Sequence, residues 1–164
     1  MTVHVRDIWA DLGSLFQGQS ERINEIELTN IKRGSMSLCL YHIMHIAKES
    51  NFRFTLTGKN MQVMLPSPHT VVNYVLQGQV SVAMWITLPA LPMVSIYVDY
   101  TDEISFGYVR GTWNAMDVLA FFDLLYELKN MAPGSRVRPN HDSFTPAERN
   151  RILEVWQDYE HQAS

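Results

Sequence analysis

His42 and His45 stand three residues apart where apolar spacing predicts a helix over about 35–50, and Glu49 lies four beyond His45. At 100° per residue the three side chains fall within about 60° of one another on such a helix. Two imidazoles and a carboxylate on one face are donors that zinc could use, with one coordination position left for water. That face lies opposite the apolar stripe of Met36, Leu40, Ile43, Met44 and Ala47, so its plainer role is to meet solvent, with His45 and Glu49 as a helical pair. No fourth ligand is apparent. Ile43 and Met44 separate the two histidines, which is not the H-E-x-x-H pattern, and no cofactor is expected.

Other chemistry is thinner. Cys39 is the only cysteine, sits among Leu38, Leu40 and Tyr41, and lacks the electropositive neighbours that lower a thiol pKa. His42 follows it by three, yet no carboxylate is evident to orient that pair. There is no G-x-S-x-G, and Gly107-x-x-x-Gly111 lacks the Lys-Ser/Thr of a phosphate-cradling loop. Asp99, Asp102 and Glu103 cluster at a turn, where they could be solvated turn formers, hold a divalent ion, or form an acidic docking surface for a basic partner. Arg136 and Arg138 flank Val137 and could clamp an anion bidentately. The connection Leu88-Pro89-Ala90-Leu91-Pro92 has no polar side chain. Exposed, Leu91 would be an apolar protrusion for a partner's groove; otherwise the loop tucks under a helix. Trp85 falls on the more polar side of its strand, with Ser81, Ala83 and Thr87, where it packs under a second layer or anchors an interface.

These residues need a scaffold, and the composition allows one. The chain has 164 residues, 46% of them hydrophobic and 18% charged, which fits a single domain over 1–164 with a real core. Thirteen Lys and Arg against 17 Asp and Glu give a net charge of −4, with no excess of cations for gripping nucleic-acid phosphates. A lone cysteine rules out an internal disulfide and suits a reducing compartment such as the cytoplasm. Asp7 and Asp11 interrupt the apolar N-terminal stretch that a secretory signal would need. No run approaches the roughly 20 apolar residues of a membrane-spanning helix, so the chain reads as soluble.

Periodicity supplies the elements. Ile8, Leu12, Leu15 and Phe16 share a helical face, whereas the segment up to Leu28 reads equally as helix or strand. Alternation predicts a strand from Phe52 to Thr57, a turn at Gly58-Lys59-Asn60 and a second strand over 61–65. Ser67 and Pro68 open a short helix that Gly78 can end. Three alternating strands follow: 80–88, 94–100 and 104–108. Their short connections imply an antiparallel meander. Asn114 caps a helix over 115–130 with Asp117 at N3, and Thr145-Pro146-Ala147-Glu148 is a capping box for a last helix whose buried face is Ile152, Val155, Trp156 and Tyr159. The stretch 135–143 reads as a polar linker. The fold class is α+β: a single antiparallel sheet of about five strands, a hairpin plus a three-stranded meander, packed against N-terminal and C-terminal helices.

The run FRFTLTGKNMQVMLPSPHTVVNYVLQGQVSVAMWI, about a fifth of the chain, resembles the core of rhabdovirus matrix proteins. The resemblance implies a structural protein that self-associates, although the acidic balance departs from the basic surface such a protein would want. The leading expectation is a non-enzymatic protein that binds a protein partner, a basic one if the acidic turn is the surface, in the manner of an immunity or inhibitor-type protein. Matrix-like assembly and a metal-dependent enzyme using His42, His45 and Glu49 are the alternatives.

Overall fold

The N-terminal helical stripe is used as its spacing demands. Helix α1 (Val5–Phe16) buries Ile8, Leu12, Leu15 and Phe16. The computed structural model describes residues 5–47, 49–56, 59–61, 67–78, 80–88 and 91–164, with side chains except at 5, 6, 49–56, 59–61, 80, 81 and 85–87. Along the chain there follow β1 (Ile23–Thr29), α2 (Arg33–Ile46), β2 (Glu49–Leu56), β3 (Lys59–Met61), α3 (Pro68–Leu76), β4 (Val80–Thr87), β5 (Val94–Tyr100), β6 (Glu103–Val109), α4 (Ala115–Met131), β7 (Arg136–Pro139) and α5 (Pro146–Ala163).

The fold is α+β with a single antiparallel sheet, in strand order β3-β2-β4-β5-β6-β1-β7. The expected hairpin and meander supply five of these strands, joined edge to edge through the pairing of β2 with β4. Two further strands extend the sheet. The ambiguous segment before Leu28 is β1, paired with β6 on one side and β7 on the other, so it is an interior strand. Part of the expected linker is β7, a four-residue edge strand. The helix expected over 35–50 ends earlier, at Ile46, because β2 begins at Glu49 and pairs along its whole length with β4. Residues 62–65 of the expected second strand lie outside the described residues; the hairpin partner is Lys59–Met61.

Caps fix the helix starts as the local sequence requires. Asn114 Oδ1 accepts from the backbone N–H of Met116 and Asp117, and Asp117 accepts in return from Asn114 N. Thr145 and Glu148 make the same reciprocal pair at the start of α5. Ser67 caps α3, with Pro68 at its first position and Gly78 beyond its end at φ +65°. A proline there loses no hydrogen bond, and glycine takes the left-handed conformation without a Cβ clash.

One face of the sheet carries the core. Ile26 and Leu28 of β1, Ile104, Phe106 and Tyr108 of β6, and Val94, Ile96 and Val98 of β5 alternate inward and pack under the helices. Phe16 stacks on Tyr108 with centroids 4.5 Å apart, and Trp113 and Phe121 close around them edge-on. The buried Tyr108 hydroxyl donates to the Leu15 carbonyl, tying α1 to β6. No helix among the described residues is long and apolar enough to cross a membrane.

Candidate functional site

Strand periodicity sends every second residue to the other face of the sheet, where the described residues place no helix. There β1 presents Ile23, Glu25, Glu27 and Thr29, β6 presents Glu103, Ser105, Gly107 and Val109, and β5 presents Ser95 and Tyr97. Register lines them up in rows: Glu25–Gly107–Ser95, then Glu27–Ser105–Tyr97. The face is polar and acidic toward one end of the strands and apolar toward the other.

At the acidic end Glu27 is almost fully buried and satisfied. Its carboxylate accepts from Arg138 Nε and Asn140 Nδ2, each at 2.6 Å. Arg138 also donates to Glu103 at 3.0 Å, so one guanidinium bridges carboxylates of β1 and β6 from the edge strand β7. Such charge-assisted bonds are among the stronger hydrogen bonds, and they hold the guanidinium of Arg138 more firmly protonated than usual. Among the described residues Glu25 has no such partner. Its carboxyl is pushed above the ordinary carboxylate range, first by partial burial and then by the negative charges of Glu27, Asp99, Glu103 and Asp142. Burial and Glu27 likewise raise Glu103, with Arg138 opposing.

The sequence-derived docking residues divide accordingly. Asp99 and Asp102 are exposed at the end of β5 and in the turn, whereas Glu103 is half-buried and bonded to Arg138. Arg136 and Arg138 sit on a strand rather than in a loop. They form no free anion clamp, because Arg138 is occupied by Glu27 and Glu103 of the chain itself. Glu25 and Glu27 went unnoticed in the sequence. The alternation Ile-Asn-Glu-Ile-Glu-Leu-Thr carries them, once the segment is read as a strand.

At the apolar end Ile23, Met93 and Val109 are exposed, by 38%, 63% and 48%. With Pro92, Arg110 and Trp113 they border a cleft of about 370 Å³. Gly107 also borders it, beneath the side chains of Ser95, Ile23 and Tyr97, and a Cβ there would press on Ser95 Oγ and lie 2.7 Å from Ile23 Cγ2. Trp85 occupies the register position opposite Ser95; its side chain lies outside those described. Leu91 is not a protrusion. It packs against the core and lines a cleft with buried Leu88, Leu124 and Ile46, where its side chain gains more than it would facing water.

The histidines lie elsewhere. His42 pairs with Glu127 of α4 at 3.0 Å, and His45 is exposed. Glu49 begins β2, so the single helical face that would have aligned it with the histidines is broken after Ile46; its side chain lies outside those described. His69, at the start of α3, bonds Tyr41 and Asn73, and it shares an open cleft with His42 and His45. Among the described residues no three His, Cys, Asp or Glu side chains converge as a metal site would need. Cys39 is buried, its thiol pushed up to about 11 by desolvation, with its Sγ 3.6 Å from the Leu128 carbonyl. It is a core residue rather than a nucleophile.

Comparison with family models, with curated proteins and with solved structures gives no match, and the likeness of 52–86 to rhabdovirus matrix proteins finds no support there.

Proposed function

We propose that this protein is a non-enzymatic binding module that takes a basic protein partner on the helix-free face of its sheet. The observation that carries the reading is the gathering of Glu27, Asp99, Glu103 and Asp142 close enough to Glu25 to raise its carboxyl, with Arg138 bonded to Glu27 and Glu103. A partner that brings Lys or Arg to Glu25 and Asp99 would relieve a repulsion already present in the free protein, and the acidic field would speed its approach. Ile23, Met93 and Val109 extend the same face with apolar area, the usual companion of a charged rim. Two copies meeting through this face would set carboxylate against carboxylate, which favours a different partner over self-assembly. Covering a basic surface of another protein is what an immunity or inhibitor-type protein does, and that is the role this geometry suits. The lone buried thiol suits a reducing compartment such as the cytoplasm.

A peptide of alternating Lys and Val, titrated while backbone amide resonances are followed, tests the reading. Shifts should concentrate at Glu25, Glu27, Ser105 and Tyr97, weaken with added salt, and vanish in the double variant Glu25→Lys, Asp99→Lys. Shifts confined to the helices, or unchanged by the double variant, would overturn it.

A further inference from the structure

The histidine pair of α2 receives a carboxylate from α4 rather than from its own helix. His42 and His45 are three residues apart on α2, a spacing that sets Cβ atoms about 5–6 Å from each other. Both border the open cleft between α2 and the start of α3. His42 Nε2 stands 3.0 Å from Glu127 Oε2. An ionised carboxylate can only accept, so Nε2 carries the proton, and in a neutral imidazole the lone pair then lies on Nδ1. Among the described residues, neither Nδ1 of His42 nor either ring nitrogen of His45 has a hydrogen-bond partner. His69 borders the same cleft but differs. Its Nδ1 is bonded to the Tyr41 hydroxyl and its Nε2 to Asn73 Nδ2, so neither nitrogen is free to coordinate.

We propose that His42 and His45 bind a divalent late-transition ion of the zinc class, with Glu127 as the outer partner of His42. Imidazole nitrogens suit zinc, nickel and copper, whereas magnesium and calcium take oxygen. An i, i+3 pair on one helix is a spacing that helical metal sites use. A carboxylate accepting from the far nitrogen fixes the tautomer and ring orientation of a ligating histidine and makes it a better donor. Among the described residues no third side chain converges on the pair. The ion therefore takes two ligands from these residues and leaves its other positions to water or to a donor from outside the chain. The proposal is independent of the docking reading, since it lies among α2, α3 and α4 rather than on the helix-free face of the sheet.

Untagged protein titrated with Zn²⁺ by calorimetry, while its imidazole resonances are followed by NMR, tests this site. Saturable one-to-one binding is expected, shared by Ni²⁺ and not by Mg²⁺, with the His42 and His45 resonances shifting ahead of the other histidines. His45→Gln, at an exposed position, should lower Zn²⁺ affinity about tenfold or more. Glu127→Gln leaves both ligands in place and should still weaken binding about tenfold, the lower end of what losing such an outer partner costs. His69→Gln should leave the affinity unchanged. Absence of saturable Zn²⁺ binding, full affinity in either the His45 or the Glu127 variant, or an equal loss in His69→Gln would overturn the proposal.

Discussion

Strand β6 belongs to two environments at once. Ile104, Phe106 and Tyr108 have essentially no exposure and lie in the core beneath the helices, where Phe106 and Tyr108 both meet Phe121 of α4 edge-on. Glu103, Ser105, Gly107 and Val109, each one residue away, form part of a face on which carboxylates crowd, a glycine makes room for Ser95 and Ile23 and a valine meets water. The helix side is held by area and shape, the open side by one arginine and two hydrogen-bonded carboxylates. Stability and recognition are thus separated by side-chain parity along the same strand, so changes on the two sides should differ in kind as well as size.

The largest effect belongs to the covered side. Phe106→Ala should cost about 3–5 kcal/mol in urea unfolding, the range for deleting a buried phenylalanine. A cost no larger than that of any open-face change would break the comparison. Next comes the hydrogen-bonded exception on the open side. Glu27→Ala removes the shared acceptor of Arg138 and Asn140 and should cost about 1.5–3 kcal/mol, the worth of bonds to a charged group. Hydrogen exchange should then quicken at β7 ahead of β5, which would locate the loss at the sheet edge. Gly107→Ala should cost about 1–3 kcal/mol by overpacking, and Ile23→Ala in the same chain should recover part of it.

The smallest effect has the opposite sign. Glu25 holds its proton more readily folded than unfolded, so its contribution favours folding in acid and is lost as pH rises through the raised pKa. Glu25→Gln should therefore stabilise the protein at neutral pH by about 0.2–1 kcal/mol, the scale of cross-strand charge pairs. Thermal melts of the variant and the parent should converge below the usual carboxylate range. Convergence at neutral pH instead would mean that the carboxylates of the open face do not oppose one another.

Much of this architecture was legible in the residues, and the illegible parts share a cause. The helices announced themselves through apolar stripes and two capping boxes, and the meander through clean alternation over 80–88, 94–100 and 104–108. Strand β7 has four residues, so Val137 and Pro139 offer too short an alternation to stand out between Arg136 and Arg138. Strand β1 places Asn24 and Glu27 at buried positions, and its polar interior obscured the period. The two strands also depend on each other, since the buried carboxylate of Glu27 in β1 is satisfied by Arg138 of β7 and by Asn140, more than a hundred residues away. The site suffered the same way. The acidic turn could be read locally, but Glu25 and Glu27 joined it only through a pairing of β1 with β6 that bridges about half the chain. The helical alignment of Glu49 with His42 and His45 failed for a related reason, since pairing with β4 claimed the residues that helical periodicity would have used.

The edge strand β7 has a consequence for how this protein behaves in a crowded solution. A strand four residues long that ends in proline, which has no amide hydrogen to donate, is a poor template for a further strand. Arg136, exposed on the same strand, adds like charge to any identical edge brought alongside. The sheet is therefore terminated on that side against runaway polymerisation, and an aggregation-prone chain docking there would find no ladder to continue.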